Sequence, residues 1–206
     1  MEKIGIINYG LGNLGSVRNA LAALDAPFGL VEKAEEFGQY SKLILPGVGN
    51  FCQGMANLSA LGFLPKIHEH LQDSSRLLLG ICLGFQMLFQ SSEEGNAKGL
   101  GILPNKVKSL KGRGSKVPHI GWNETSLPMK TRLFQGLTSP ADFYYVHSYA
   151  VTETELPGML TGKCDYGGEF LASVESGNVF GVQFHPEKSQ GAGMQMLENF
   201  TKIPCR

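Results

Sequence analysis

Two short segments of this chain carry side chains that could perform acyl transfer. The first is Gly80-Ile81-Cys82-Leu83-Gly84, which puts a thiol between two glycines where an apolar run, residues 76–79, gives way to a helical pattern. Glycine two before and two after a nucleophile is what a strand-to-helix elbow requires, because the tight turn brings neighbouring backbone too close for side chains there. In that geometry Cys82 stands exposed above the sheet edge. The helix starting at Leu83 then aims its free N–H groups at the sulfur and favours thiolate, the reactive species. A core cysteine among incidental glycines would spell the same five letters, so this segment by itself leaves both readings open.

A thiol nucleophile needs a base and a group to orient it. The stretch Gln183-Phe184-His185-Pro186-Glu187-Lys188-Ser189 offers both at the end of an apolar run. In extended backbone, residues two apart leave on the same side, so Glu187 accepts one imidazole N–H and turns the other ring nitrogen of His185 toward Cys82. An isolated His-x-Glu is more often an exposed turn without chemistry. The elbow at Cys82 reverses that preference. Acyl chemistry also needs N–H donors for the developing oxyanion, and the backbone of Leu83 supplies one at the helix start. A second can come from Pro46-Gly47-Val48-Gly49-Asn50-Phe51, where glycines let amides point inward; a plain strand-ending turn is the alternative.

These groups must be held by a larger framework, and its pattern is α/β. In the first half, apolar runs at residues 3–8, 42–45 and 76–81 alternate with helical patterns at 13–25, 53–72 and 83–90. Such runs read as parallel strands covered on both faces. Gly62 and Pro65 are expected to split the middle helical stretch. The second half turns to strands rich in Val, Phe and Tyr at 142–149, 171–175 and 179–184, with a hairpin turn at Ser176-Gly177-Asn178 and a closing helix over 191–200. One domain over residues 1–206 accounts for the whole pattern.

Eighteen basic and eighteen acidic residues cancel, leaving no field to gather nucleic acid or an anionic membrane. The basic stretch Lys106, Lys108, Lys111, Arg113 and Lys116 reads as a solvated loop. Cys52, Cys82, Cys164 and Cys205 have neither zinc-site nor disulfide-framework spacing, so a reducing cytoplasm fits, and no metal or cofactor is implied. His68 and His70, two apart on a helix, face different ways and suit neither metal nor catalysis. His119 reads as completing a core hydrogen bond. The N-terminal run is too short for a signal peptide, and no apolar run can span a bilayer.

Taken in order, the segments "NYGLGNLGSV", "LPGVGNF", "GICLGFQMLF", "SSEEG", "VPHIGWN", "YYVHSY" and "GVQFHPEKSQ" resemble the class I, triad-type glutamine amidotransferases. Within that family they look like the glutaminase subunits of imidazole glycerol phosphate synthase, over nearly the whole chain. The resemblance implies a flavodoxin-like core, a mixed and largely parallel sheet flanked by helices, with antiparallel strands in the C-terminal half. It implies Cys82 as nucleophile, His185 as general base and acid, and Glu187 as its orienter. Leu83, Val48 and Gly49 would serve the oxyanion, and Gly49, Gln86, Glu94, His147, Ser148 and Tyr149 would hold L-glutamine. The implied partner is a separate (β/α)₈ cyclase that receives the ammonia and makes imidazole glycerol phosphate and an aminoimidazole carboxamide ribotide. Asn13, Trp122, Tyr144 and Lys188 would lie at that interface.

Asn8 and Asn50 depart from the residues common in the family, and Asn8 keeps open a related subunit feeding ammonia to a sugar-modifying synthetase of surface-polysaccharide synthesis. Two readings of other classes compete. Gly10, Gly12 and Gly15 spell G-x-G-x-x-G between a strand and a helix, with Glu32 twenty residues past Gly12, which fits a dinucleotide fingerprint. A catalytically dead scaffold is the other, and the intact Cys82, His185 and Glu187 set argues against both. The isolated subunit is expected to be nearly inactive until the liganded cyclase turns a peptide of the Gly47-Val48-Gly49 loop.

Overall fold

The structure, a computed structural model, describes residues 2–205. Its first half runs β1 (Ile4–Ile7), α1 (Leu14–Ala23), β2 (Phe28–Val31), β3 (Lys42–Gly47), α2 (Phe51–Ala60), α3 (Phe63–Gln72), β4 (Leu77–Cys82) and α4 (Leu83–Met87). Short strands β5 (Ser91–Ser92), β6 (Ala97–Lys98) and β7 (Lys106–Ser109) follow, then β8 (His119–Ser126), β9 (Ala141–His147) and β10 (Tyr149–Val151). The chain closes with β11 (Leu160–Asp165), β12 (Glu169–Ser176), β13 (Val179–Val182) and α5 (Gln190–Lys202).

Among the described residues the main sheet has nine strands in the order β2-β1-β3-β4-β13-β12-β11-β8-β9. Its first five are mutually parallel, and from β13 to β9 every pairing is antiparallel. This is the expected mixed sheet, with helices on both faces of its parallel part. Every residue of β1, β3 and β4 is buried, as continuous apolar runs should be when helices cover both sides. Alternate residues divide between two cores: Ile44, Leu79 and Ile81 pack with Val17 and Leu21 of α1 and with Met196, Leu197 and Phe200 of α5. On the other face Leu43, Leu45 and Leu78 pack with Leu58 of α2, Phe63 and Ile67 of α3, and Phe85 of α4.

Several local expectations need correction. The helix after Cys82 stops at Met87 instead of reaching residue 90, because the chain turns there to start a second, four-stranded sheet, β10-β7-β5-β6, that the sequence pattern did not announce. Lys106 and Lys108 lie in β7 of that sheet and pair with Glu93 and Glu153, so this part of the basic stretch is ordered strand and not loop. The break between α2 and α3 falls at Gly62, with φ +69°, whereas Pro65 sits in the first turn of α3, where a missing N–H costs nothing. The turn at Gly177 and Asn178 joins β12 to β13 as expected.

For function, the register at the sheet centre decides most. Leu45 of β3 lies beside Gly80 of β4, Gly47 beside Cys82, and Val182 of β13 beside Ile81. The loops leaving the carboxyl ends of β3, β4 and β13 therefore meet at one place.

Candidate active site

Cys82 occupies the turn between β4 and α4 with φ +53° and ψ −107°, a conformation that L-residues rarely adopt. The flanking glycines explain how it survives. A Cβ at Gly84 would lie 1.7 Å from the Leu45 carbonyl oxygen, and one at Gly80 would lie 2.8 Å from Phe85 Cα. Both contacts are with backbone that cannot yield. The elbow is real, but two of its expected properties are not. Cys82 is only 5% exposed, at the floor of a cleft of about 410 Å³ instead of above the sheet edge. The helix behind it is five residues long, so its dipole is that of a single turn.

His185 Nδ1 lies 2.8 Å from Glu187 Oε1, and the two side chains are 2% and 1% exposed. Their link is not the extended backbone anticipated: Pro186–Lys188 form a single 3₁₀ turn, and Glu187 curls back to the ring within it. The turn is pinned from both sides. The backbone N–H of His185 donates to the Tyr144 carbonyl of β9 at 2.9 Å, and the Ser189 hydroxyl donates to the His185 carbonyl at 2.6 Å. Among the described residues His185 Nε2 is buried without a hydrogen-bond partner, and so is Glu187 Oε2. One ring nitrogen is thus fixed and the other is left unpaired. Burial by itself would make this imidazole a weak base, but the charge of Cys82 and the hydrogen bond and charge of Glu187 override it and lift the pKa to about 10. The pocket favours imidazolium beside the sulfur.

The loop after β3 forms the facing wall. Here the glycines differ in role. A Cβ at Gly47 would meet the Tyr9 hydroxyl at 2.3 Å and Leu83 Cβ at 2.8 Å, so Gly47 exists for close packing and is clamped. Gly49, with φ +110° and only Leu11 Cδ2 within 4 Å of where a Cβ would sit, is the less confined one. The expectation of two free glycines around Val48 reduces to one.

The class-I glutamine amidotransferase family matches residues 6–203 of the chain. The chain belongs to that family. Among similar proteins, the imidazole glycerol phosphate synthase subunit HisH of Moorella thermoacetica is 46% identical over 98% of this chain and 96% of its own length. That of Bacillus subtilis is 45% identical over 97% and 96%. In fold the chain resembles the structure of PurLQS from Thermotoga maritima, with TM-score 0.77 at 20% identity over 97% of this chain and 98% of that one. Family membership removes the dinucleotide reading, and the structure supplies a reason: the start of α1 is already capped, by Asn13 Oδ1 accepting from the Ser16 N–H. Glu32 meanwhile accepts from Asn8.

In this amidotransferase the residues expected around glutamine line one cleft: Gly49, Gln86, Glu94, His147, Ser148 and Tyr149, with Val48, Leu83 and Cys82. Glu94 is held at the rim, its Oε2 accepting from the Phe51 N–H at the start of α2 at 2.8 Å. Gln86 donates through Nε2 to the Tyr149 carbonyl at 2.7 Å and to Gln183 Oε1 at 3.0 Å. His147 lines the cleft, but its ring is hydrogen-bonded inward. Its Nδ1 pairs with the Tyr149 carbonyl at 2.9 Å and its Nε2 with His119 Nδ1 at 3.0 Å, so both nitrogens are spent inside the protein. That contact also places His119 in a core hydrogen bond, as its sequence context suggested.

Of the expected interface residues, Trp122 is exposed, stacks edge-on with Tyr144 at 6.1 Å, and has exposed Ile120 beside it on β8. Lys188 lies over the Tyr144 ring at 5.8 Å and also lines the cleft. Asn13 is separate in role, occupied as the cap of α1. The residue that sequence reasoning missed is Gln183. It stands fully buried with Nε2 3.8 Å from Cys82 Sγ, inside the very segment that revealed His185. No helix among the described residues is long and apolar enough to cross a membrane.

Proposed function

We propose that this chain is the glutaminase subunit of an imidazole glycerol phosphate synthase in histidine biosynthesis, working in the cytoplasm with L-glutamine as substrate and Cys82, His185 and Glu187 as its triad. The observation that carries the chemistry is the buried His185–Glu187 bond placed beside a thiol on a strained elbow. Similarity to the HisH subunits over nearly full length supports the pathway. Asn8 lends the polysaccharide alternative no support, since its side chain is occupied by Glu32 and the Gly10 N–H.

The mechanism follows from the geometry. The Cys82 thiolate attacks the side-chain amide carbon of glutamine, and the carbonyl electrons move onto oxygen. The Leu83 N–H receives that oxyanion, joined by an N–H of the Val48–Gly49 peptide once it turns about the less confined Gly49. The His185 imidazolium gives its Nε2 proton to the departing ammonia, leaving a thioester. The neutral ring then takes a proton from water, hydroxide displaces the sulfur, and glutamate leaves. Glu187 keeps the proton on Nδ1 throughout and stabilises each imidazolium. Glu94 offers a carboxylate to the substrate ammonium.

Ammonia released to water would be protonated and lose its lone pair. In this reading a (β/α)₈ cyclase docks over Ile120, Trp122, Tyr144 and Lys188, with Asn13 at its edge, and receives the ammonia directly. Two exposed apolar side chains on β8, Trp122 packed on Tyr144 and Ile120 beside it, are consistent with a covered surface. The test is glutamate release by the purified chain with and without the cyclase and its ribotide precursor. Strong stimulation, abolished by Cys82→Ala, is expected. Equal rates with and without the partner would overturn the coupling, and retained turnover in the alanine variant would overturn the nucleophile.

A further inference from the structure

A line of hydrogen bonds with only one possible proton order crosses the molecule and ends on the sulfur. It starts at Asn123 of β8, whose Nδ2 donates to the Asp165 carbonyl at 2.9 Å. A backbone carbonyl can only accept, so this end fixes the amide orientation. The second proton of the same Nδ2 points to His119 Nε2 at 3.4 Å, making that nitrogen the acceptor. His119 must therefore carry its proton on Nδ1 and donate to His147 Nε2 at 3.0 Å. His147 in turn donates from Nδ1 to the Tyr149 carbonyl at 2.9 Å. The same carbonyl accepts from Gln86 Nε2 at 2.7 Å, so the Gln86 amide is fixed as well. Its remaining N–H reaches Gln183 Oε1 at 3.0 Å, and Gln183 is left with its NH₂ toward Cys82 Sγ at 3.8 Å.

The line is anchored on main-chain carbonyls, and no member can reverse without leaving a buried polar atom unpaired. Burial keeps the two imidazoles neutral, with the pKa of His119 lowered to about 4 and that of His147 to about 3, which the line requires, because a protonated ring would offer two donors where one acceptor is needed. The sulfur also lies 3.9 Å from the Val146 carbonyl, which can accept only from a protonated thiol.

We propose that Gln183 is a further catalytic residue, donating an N–H to the Cys82 sulfur so that thiolate is favoured over thiol, and that Gln86, His147, His119 and Asn123 are positioning residues that hold its carboxamide in that orientation. The inference rests on the glutaminase reading of the same site. Its physical content is selective: an N–H donor stabilises the anion and does nothing for the thiol, whereas the Val146 carbonyl does the reverse. The titratable groups facing Cys82 are His185, backed by Glu187, and Tyr9 beyond the end of β1, with Glu94, His147, Tyr149 and Lys188 on the cleft lining. Gln183→Met adds no charge to this set, so it separates loss of the donor from the added charge of Gln183→Glu.

The experiment is the pH dependence of iodoacetamide alkylation of Cys82 in the full chain, followed on its own peptide because Cys52, Cys164 and Cys205 are also free thiols. Gln183→Glu keeps the shape and the bond to Gln86 but presents an acceptor to the sulfur. Its alkylation midpoint is expected to rise by about one pH unit, a tenfold loss of thiolate on the acid limb of the profile. Gln183→Met removes the donor without adding charge and should shift the midpoint in the same direction by less. Protection of Cys82 by glutamine should keep its concentration dependence in the variants, which a merely structural role would not allow. Coincident midpoints for parent and folded variants would overturn the inference, and should the Glu variant not fold, the Met variant decides. Failure of the glutaminase reading looks different: the parent itself would then resist labelling at Cys82 by a glutamine-like chloroketone.

Discussion

Two buried histidine sites lie on either side of one cleft and behave in opposite ways. His185, after β13, has Glu187 on one nitrogen and faces the sulfur with the other, and it is driven to imidazolium with a pKa of about 10. His119 and His147, on β8 and β9, are buried too but hydrogen-bond only to each other, an amide and a carbonyl, and are driven neutral, to about 4 and about 3. Burial pushes all three the same way. What differs is the presence of an anion within reach, which outweighs desolvation at one site and is missing at the other. One site holds a charged ring beside a sulfur and the other holds two neutral rings in one hydrogen-bonded arrangement.

The most direct way to break this contrast is Glu187→Gln, which keeps volume and the possibility of a hydrogen bond while removing the charge. Glutamine turnover in the assembled enzyme should fall by about 10²–10⁴-fold. The His185 midpoint, read by NMR, should drop below 10. A His185 midpoint still at about 10 would mean that the Cys82 charge, the larger contribution, separates the two sites without Glu187.

Acid unfolding tests the other side. A histidine held neutral in the fold but free to protonate when unfolded gives the unfolded state more protons between about pH 6.5 and the folded pKa. Stability should therefore be intact above about pH 6.5 and decline as pH falls toward 4, by about 1.4 kcal/mol per pH unit for each such histidine that is fully linked. His70, held by the Leu77 carbonyl and lowered to about 4 by burial, adds to the pair. His185 has the opposite sign, since its stabilising contribution is present below about pH 6.5 and disappears as pH rises through 10. Urea midpoints that do not change between about pH 7 and 5 would contradict the neutral assignment.

His119→Phe sharpens the comparison further. The ring stacks between Tyr145 and Tyr166, and phenylalanine preserves that stacking while stranding the lone pair of His147 Nε2. A loss of about 1–3 kcal/mol in urea unfolding is expected, the cost of a buried unpaired acceptor. The smallest effect on folding belongs to the outward side of the same strand: Trp122→Ala should leave chain stability nearly unchanged and weaken cyclase binding by about 1–2 kcal/mol in a titration. A variant that binds the partner like the parent would move the docking surface elsewhere.

How far the sequence could be read depended on the kind of constraint. Gly80 and Gly84 announced the elbow because only glycine survives a Cβ-to-backbone approach of that closeness, and such exclusion leaves a mark in single letters. His185 and Glu187 were visible because they are neighbours in the chain. Gln183 carried no signal of its own, since its meaning depends on Gln86 and Cys82, each about a hundred residues away. Strands β2, β5, β6, β7 and β10 were illegible for a related reason: they are two to four residues long, too short for a period to show. The longer β8 and β11 were missed because they carry no apolar period: β8 buries His119 and Thr125 and turns Ile120 and Trp122 outward.

The amino-acid sequence alone determined the parallel core, through its continuous apolar runs, and singled out the thiol, the imidazole and the carboxylate proposed as the triad, through local spacing and residue type. Only the tertiary structure decided that Cys82 is a cleft floor and not an exposed tip, that Gly47 is clamped while Gly49 is less confined, and that one histidine is charged while the facing pair is neutral. Each of those depends on burial and on which charges stand a few ångströms away, and these are properties of distance in space that no order of residues states.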